Sequence, residues 1–175
     1  MNRTILIIAI LVMISNICIA DELRIGHVDL REVVARSDEG RESRDLYIKR
    51  AQKYQEEIDA RTEKMKKLKE EIDTATNNLK VKDKLPQNII EKEKQYGDQA
   101  RELERILGGY QDELKVYNSE LTKKVLDDFA PILADYARTN KYDYIFRGVD
   151  GMVYVSSKRD LTNELIREFN NKRKK

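Results

Sequence analysis

The side chains that could support covalent or metal chemistry are few and isolated in this sequence. It contains one histidine, His27, and one cysteine, Cys18. A single histidine without cysteine or histidine partners is a poor metal ligand and a poor member of a catalytic triad. We therefore interpret His27 as a strand residue at a sheet edge or an interface. Carboxylates are abundant, but they fall in charged helical stretches, where they favour solubility over catalysis.

Composition and charge narrow the possible functions further. Charged residues make up 38% of the chain, with 34 Lys and Arg against 32 Asp and Glu, and there are only 7 glycines, 2 prolines and no tryptophan. These values are typical of long charged helices with a narrow apolar seam and not of a compact enzyme. The sequence has no P-loop, G-x-G-x-x-G, H-E-x-x-H or G-x-S-x-G motif. We therefore predict no catalytic activity, no cofactor, no metal site and no nucleic-acid partner.

The first twenty residues, MNRTILIIAILVMISNICIA, have the pattern of a secretory signal peptide. Arg3 supplies a positive charge, Ile5–Ile14 is an apolar core, and a small residue, Ala20, precedes the predicted cleavage site. An uncleaved membrane anchor is the alternative, but a span needs about 20 apolar residues and this core is shorter. A lipoprotein site at Cys18 is disfavoured because an isoleucine precedes it. Cleavage leaves a mature chain without a thiol, so no disulfide can form.

The long middle of the chain has the spacing of a coiled coil. Apolar and aromatic residues alternate at three and four residues, which indicates a narrow helical seam. In the first half the two registers are Ala51, Ile58, Met65, Ile72 and Leu79, and Tyr47, Tyr54, Leu68 and Ala75, with Arg61 interrupting the second. In the second half they are Ile89, Tyr96, Leu103, Tyr110 and Tyr117, and Ala100, Leu107, Leu114 and Leu121. A stutter, which locally unwinds a supercoil, follows through Val125, Phe129, Ile132 and Tyr136.

A turn separates the two halves of this coiled coil. Pro86 cannot donate a backbone hydrogen bond, and it pushes Leu85 out of the helical region. Two helices of similar length that meet at a turn predict an antiparallel hairpin, with arms roughly 60 Å long. One continuous helix with a proline kink is the alternative, which is less favoured because each half has a complete seam. We assign residues 41–128 to this hairpin, with its tip near 81–88.

The two ends of the chain predict a small β-rich body with short helices, residues 21–40 and 129–175. Leu23–Val28 has the pattern of a short strand. Tyr142–Val155 predicts a β-hairpin because two apolar runs flank the turn residues of RGVDG. The first strand has only this distant hairpin to pair with, so the helical arm must return the chain to where it started. The predicted fold class is therefore α+β, mostly α.

Local signals predict how the helices of the body begin and end. Asp29 caps the helix after the first strand, and Glu32 completes a capping box. Asn140 ends the long helix in a left-handed conformation. Asp160 caps a last amphipathic helix. The apolar side of this helix consists of Leu161, Leu165, Ile166 and Phe169.

The predicted sheet is too small to be stable in a single chain. It has apolar residues on both faces, and its edges lack partners. Oligomerisation through the body resolves both problems. The candidate subunit-interface residues are Ile25, Val28, Tyr144, Ile145, Phe146, Val153 and Val155.

The sequence resembles the Skp/OmpH family of periplasmic chaperones. The resemblance is carried by the RIGHVDLREVVARSDEGRE opening with its turn at Ser37–Gly40, by the KYDYIF strand and by the DLTNELIREFN ending. It implies a homotrimer whose strands build a shared β-barrel and whose helical hairpins surround a cavity. It also implies a periplasmic protein that holds unfolded outer-membrane proteins in that cavity without ATP, and it is compatible with peripheral membrane contact. The residues that contact clients are not assigned.

The arm departs from the best-known members of that family in its charge, because they are strongly basic. Between Arg41 and Asp128 there are 20 Lys or Arg and 20 Asp or Glu. Electrostatic attraction of acidic clients would therefore be weak and screened by salt. The alternative function is an envelope coiled-coil spacer or adaptor that binds a folded partner, and the family resemblance alone separates the two.

The sequence also predicts a hinge in the arm. With the hairpin tip near Lys84, Arg61 would lie opposite Leu107, beside Gly108 and Gly109. Each glycine costs a helix interior roughly 1 kcal/mol relative to alanine, and an arginine in the seam loses an apolar contact. One interpretation is that these are incidental weak points of a solvated helix. The alternative, which we state as the hinge prediction, is that the distal arm swings about this level so that the cavity can widen.

Overall fold

The computed structural model describes residues 23–77, 84–148 and 153–173, so the predicted signal peptide lies outside the described part of the chain. In chain order the elements are β1 (Ile25–Val28), α1 (Leu30–Arg36), α2 (Asp38–Asn77), α3 (Gln87–Thr139), β2 (Tyr144–Arg147) and α4 (Thr162–Arg173). This architecture confirms the predicted α+β, mostly α, fold. None of these helices contains an apolar stretch that is long enough to cross a membrane.

The small sheet brings the two ends of the chain together. β1 pairs in parallel with β2, with Ile25 opposite Tyr144. On the other side of β1, the N–H of His27 donates to the carbonyl of Arg159, and the N–H of Leu161 donates to the carbonyl of His27, both at 2.8 Å. The predicted pairing of the first strand with the distant C-terminal part is confirmed. The predicted edge position of His27 is wrong, because β1 has neighbours on both sides.

The predicted β-hairpin at Tyr142–Val155 is only partly present. Its first strand is β2, but residues 153–156 form no strand, and residues 149–152 lie outside the described part. After β2 the chain must reach the far side of β1, where Arg159 and Leu161 make their bonds. The extended backbone pairing of this C-terminal segment is therefore made with β1, at residues 159–161, and not with β2.

Tertiary contacts replace half of the predicted capping box. The Asp29 carboxylate accepts from the N–H of Arg31 at 2.8 Å and caps α1, as predicted. The Glu32 carboxylate, however, accepts from Arg36 at 2.7 Å instead of reaching back. The N–H of Asp29 donates to the hydroxyl of Thr162 at 2.9 Å. This bond ties the start of α1 to the start of α4, a contact that the local sequence pattern cannot show.

The other two predicted caps are present but differ in detail. Asn140 is the C-cap of α3, as predicted, and the Asp160 cap lies one residue further upstream of its helix than predicted. Asn140 is not left-handed: its φ is −94°, and its side-chain amide donates to the carbonyl of Tyr136 at 2.9 Å. Lys141, with φ of 54°, is the left-handed residue. The Asp160 carboxylate accepts from the N–H of Thr162 at 2.9 Å, so it caps the first helical residue from two positions upstream.

A single residue, Ser37, separates α1 from α2, where a longer polar turn was predicted. α2 already begins at Asp38, and the N–H of Gly40 donates to the Ser37 hydroxyl at 3.0 Å. Gly40 packs against the preceding helix so closely that an added Cβ would lie 1.7 Å from the carbonyl oxygen of Val34. Only glycine fits at this crossing of the two helices.

The core of the body packs the two ends of the chain against the C-terminal part of α3. Its buried apolar members are Val28, Val33, Val125, Phe129, Leu161, Leu165, Ile166 and Phe169. The rings of Phe129 and Phe169 meet edge to face at 5.5 Å. The predicted stutter therefore marks the point where α3 leaves the two-helix seam and enters this core, and the predicted apolar side of the last helix is buried.

α2 and α3 form the predicted antiparallel hairpin, and the alternative of one continuous helix is wrong. α2 ends at Asn77, and Pro86 immediately precedes α3. Along α2 both predicted registers are at least half-buried as far as Ala75, and Arg61 is exposed. Leu79 lies outside the described residues. We refer to this hairpin as the arm.

Candidate functional site

β2 presents an aromatic patch to solvent. Tyr144 is 57% exposed and Phe146 is 46% exposed, and their rings stack at 6.3 Å. Between them, Ile145 points the other way and packs against the core. We call Tyr144 and Phe146 the sheet patch. Paired, exposed aromatic rings on a strand are typical of an association surface.

The predicted interface residues divide into two groups. Val28 and Ile145 belong to the core of the chain itself, and Ile25 and Val155 are half-buried. Tyr144, Phe146 and Val153 form the second group, which is exposed, and Val153 is fully exposed. Substitution of Ile145 would therefore disturb the folding of the body as well as its association, so the sheet patch is the better target.

His27 occupies a buried place beside one carboxylate. Its Nδ1 lies 3.9 Å from Oδ1 of Asp160, and neither ring nitrogen has a hydrogen-bond partner among the described residues. Burial opposes the charge of Asp160, but the hydrogen bonds from Thr162 and the neighbouring His27 together outweigh burial and lower the pKa of that carboxyl below its ordinary value. The described residues contain no group of three side chains that could hold a metal ion.

The centre of the arm is fastened by two tyrosines and two glutamates. The rings of Tyr54 and Tyr110 stack across the seam with centroids 4.0 Å apart and nearly parallel planes. The hydroxyl of Tyr54 donates to Glu113 on α3, and the hydroxyl of Tyr110 donates to Glu57 on α2. These bonds to carboxylates raise the pKa of both tyrosines. We call these four residues the tyrosine clasp.

The tyrosine clasp fixes the register of the two helices. A tip at Lys84 would have placed Tyr54 opposite residue 114, one turn away from its observed partner. The predicted pairing of Arg61 with Leu107 is therefore wrong. Arg61 instead lies across from Leu103. Whether the arm bends near this level stays a prediction.

The clasp also accompanies a rotation of α3 that the heptad pattern did not predict. Ile106 is buried, whereas Leu107, which was assigned to the seam, is 36% exposed. Toward the tip, the half-buried positions include Lys92 and Gln99. The distal seam is therefore more polar than predicted, although Lys92 compensates by donating to Glu71 across the arm at 2.6 Å.

A groove of about 780 Å³ opens between the two helices just beyond the clasp. Its apolar lining comes from Ala60, Met65 and Leu103, and two amides, Gln95 and Gln99, lie beside them. We call it the arm groove. The sequence signal for this groove is Arg61 at a seam position, because a charged residue there leaves a gap between the two helices.

Comparison with known proteins identifies the family. The family model described as "Outer membrane protein (OmpH-like)" matches residues 24–169. The chain belongs to the OmpH-like family. This confirms the resemblance stated from the sequence, and no curated protein matched the chain.

A solved structure has the same fold. The crystal structure of an OmpH-like protein from Caulobacter crescentus CB15, provisionally described as an outer membrane chaperone, matches with a TM-score of 0.74 at 9% sequence identity. The match covers 86% of this chain and 85% of that one. At this identity the similarity shows the fold alone.

Proposed function

We propose that this protein is an ATP-independent holdase chaperone of the periplasm that binds unfolded outer-membrane proteins and prevents their aggregation. Membership of the OmpH-like family and the provisional description of the Caulobacter protein support this class of function. The observation that carries the proposal is the arm, a long helical hairpin whose outer faces display apolar side chains to solvent. A holdase needs such a surface, because apolar side chains that are buried in its own core cannot contact unfolded chains.

The apolar side chains of the arm are scattered among charges instead of forming one patch. Those that are exposed by more than a third are Leu46, Ile48, Leu85, Ile90, Leu107 and Val116. Each buries little area, so each contact is weak, but many weak contacts along one flexible client add up. The balanced charges keep the arm soluble and favour clients of mixed composition over strongly acidic ones.

The proposed functional unit is a homotrimer that associates through the sheet patch. Among the described residues the outer edge of β2 has no strand beside it, and Tyr144 and Phe146 are open to solvent. Pairing of such edges between copies would cover both features and direct the arms around a common cavity. Peripheral contact with the membrane is a further part of this proposal.

The test is whether the mature protein keeps an unfolded outer-membrane β-barrel protein soluble. The barrel protein is diluted from urea, and light scattering is followed with and without the chaperone and without ATP. The matched control lacks the arm, residues 44–123, and joins the remaining ends, so the body is retained. We expect the full chain to suppress scattering and the armless chain to lose this activity.

The same experiment separates the holdase from the spacer or adaptor. A spacer binds one folded partner and leaves scattering of an unfolded barrel unchanged. Full suppression by the armless chain would instead place client binding in the body and contradict the role proposed for the arm.

A further inference from the structure

We infer that the arm groove binds an extended segment of unfolded polypeptide in which acidic side chains flank an apolar one. This inference rests on the proposed holdase function and names the place and the chemistry of one client contact. Two observations support it. The groove has an apolar lining, and its carboxylates have hydrogen-bond partners whereas its cations form no ion pairs with described residues.

The groove is open because the seam is interrupted between two closed ends. Toward the body, the tyrosine clasp holds the helices together, and toward the tip Ile72 and Ile89 are buried at 8% and 3% exposure. Between these ends, the exposed Arg61 stands where the seam requires an apolar residue. The lining residues Met65 and Leu103 are only half-buried, which leaves apolar surface for a ligand.

The carboxylates of the groove are already engaged by neighbouring groups. Glu57 accepts from Tyr110 in the clasp, and Asp98 accepts from Arg101. Glu102 accepts from both Nε and Nη2 of Arg105, at 2.8 and 2.6 Å. The fourth carboxylate, Glu91, accepts a longer bond of 3.4 Å from the Gln87 amide.

The cations of the groove, unlike its carboxylates, lack a close partner of opposite charge among the described residues. Arg61, Lys64 and Lys94 line it, and none of them forms an ion pair within 4.0 Å with a described residue. Arg61 contributes longer-range interactions: it lowers the pKa of Glu102, less than the hydrogen bond from Arg105 does, and it opposes the rise in the pKa of Tyr110. Three available cations around an apolar lining complement a ligand that carries both acidic and apolar groups.

Peptide fits this groove better than a lipid surface does. Gln95 and Gln99 offer amide donors and acceptors, which can bond to the backbone of an extended chain. The four carboxylates would repel the closely spaced phosphates of an anionic membrane. An isolated aspartate next to a leucine can approach the cations while avoiding these carboxylates.

The direct test measures binding of a fluorescein-labelled peptide to the mature protein by anisotropy. The peptide places aspartates on both sides of a leucine–phenylalanine pair, and a second peptide has lysines in place of the aspartates. We expect the acidic peptide to bind more tightly. The groove variant Arg61→Gln, Lys64→Gln, Lys94→Gln should weaken its binding roughly tenfold, which corresponds to about 1.4 kcal/mol.

The matched control removes the same number of charges from the same arm outside the groove, as Lys66→Gln, Lys69→Gln, Lys115→Gln. These three side chains are exposed, and we expect less than a twofold change. Ala60→Trp, which fills the groove without changing its charge, should weaken binding like the groove variant. Circular dichroism verifies that every variant remains helical.

The outcomes distinguish this inference from the proposed function. Equal weakening in the groove and control variants, or equal binding of the two peptides, would overturn the groove. A lipid ligand would also overturn the inference. Its signature is a parent protein that binds anionic phospholipid vesicles but not the acidic peptide, together with a groove variant that no longer binds the vesicles. Failure of the parent protein to suppress aggregation would refute the holdase, whereas peptide binding alone decides the groove.

Discussion

The close crossing of α1 and α2 predicts that one glycine-to-alanine substitution lowers stability, whereas the same substitution elsewhere in the chain raises it. Gly40→Ala places a Cβ 1.7 Å from the carbonyl oxygen of Val34 and 2.7 Å from its carbonyl carbon. Both atoms belong to backbone, so no flexible side chain can make room. One helix must move by more than about 1 Å, in the range where overpacking typically costs roughly 1–3 kcal/mol.

Two further terms change this value in opposite directions. Moving the helices apart strains the bond from the N–H of Gly40 to the Ser37 hydroxyl, which contributes roughly 0.5–1.5 kcal/mol. Alanine in place of glycine favours the helix by roughly 1 kcal/mol. The two nearly cancel, so the free energy of unfolding should fall by roughly 1–3 kcal/mol.

The control is Gly108→Ala with Gly109→Ala, where an added Cβ meets nothing within 4 Å. Here only the helix propensity changes, and stability should rise by roughly 1–2 kcal/mol. The assay is urea unfolding followed by circular dichroism at one fixed protein concentration, because association would add a concentration dependence. Gly40→Ala as stable as the parent, or a less stable double variant, would refute the reasoning.

Three further predictions concern association, acid stability and arm motion. Tyr144→Ser with Phe146→Ser should convert the proposed trimer into monomers with unchanged helix content, as measured by sedimentation velocity; a trimeric variant would exclude the sheet patch from the interface. Because the pKa of Asp160 is lowered on folding, its contribution to the stability of the fold is present above its unfolded pKa and is lost as pH falls through its folded pKa. Asp160→Asn should therefore be less stable than the parent at neutral pH, and its stability should depend less on acid below about pH 4. Adding Arg61→Leu to the double alanine variant should narrow the distribution of distances between spin labels at Lys84 in the assembled protein, and an unchanged width would place any flexibility elsewhere.

The sequence was sufficient for features that depend on the repeat of apolar residues and on which elements are available to pair. The heptad spacing predicted the hairpin, since a seam repeats locally and each half carries its own. The pairing of β1 with β2 followed because the first strand had no other partner in the chain. Both inferences use the order of elements and not the exact position of any side chain.

The sequence was insufficient where two residues competed for one position. Ile106 and Leu107 are adjacent and both apolar, so the heptad pattern could not decide which one faces α2. The contact of Tyr110 with Glu57 favours the rotation that buries Ile106. Likewise, Glu32 satisfied the capping-box pattern, but Thr162 was placed by tertiary packing to take the same N–H. Such choices depend on partners distant in sequence.

The rotation of α3 connects the stability of the arm with its accessible surface. It brings Gln99 and Lys92 toward the seam and turns Leu107 outward. A polar seam holds the two helices less firmly than an apolar one, because buried polar side chains require partners. The clasp pairs its own tyrosines with glutamates at one level, Lys92 pairs with Glu71 nearer the tip, and the level of Arg61 stays open. A strictly apolar seam would give a stiffer arm, but it would bury the surface on which the proposed client contact depends. The polar positions that weaken the seam, Arg61 on α2 and Gln99 on α3, are therefore also the ones that line the open groove.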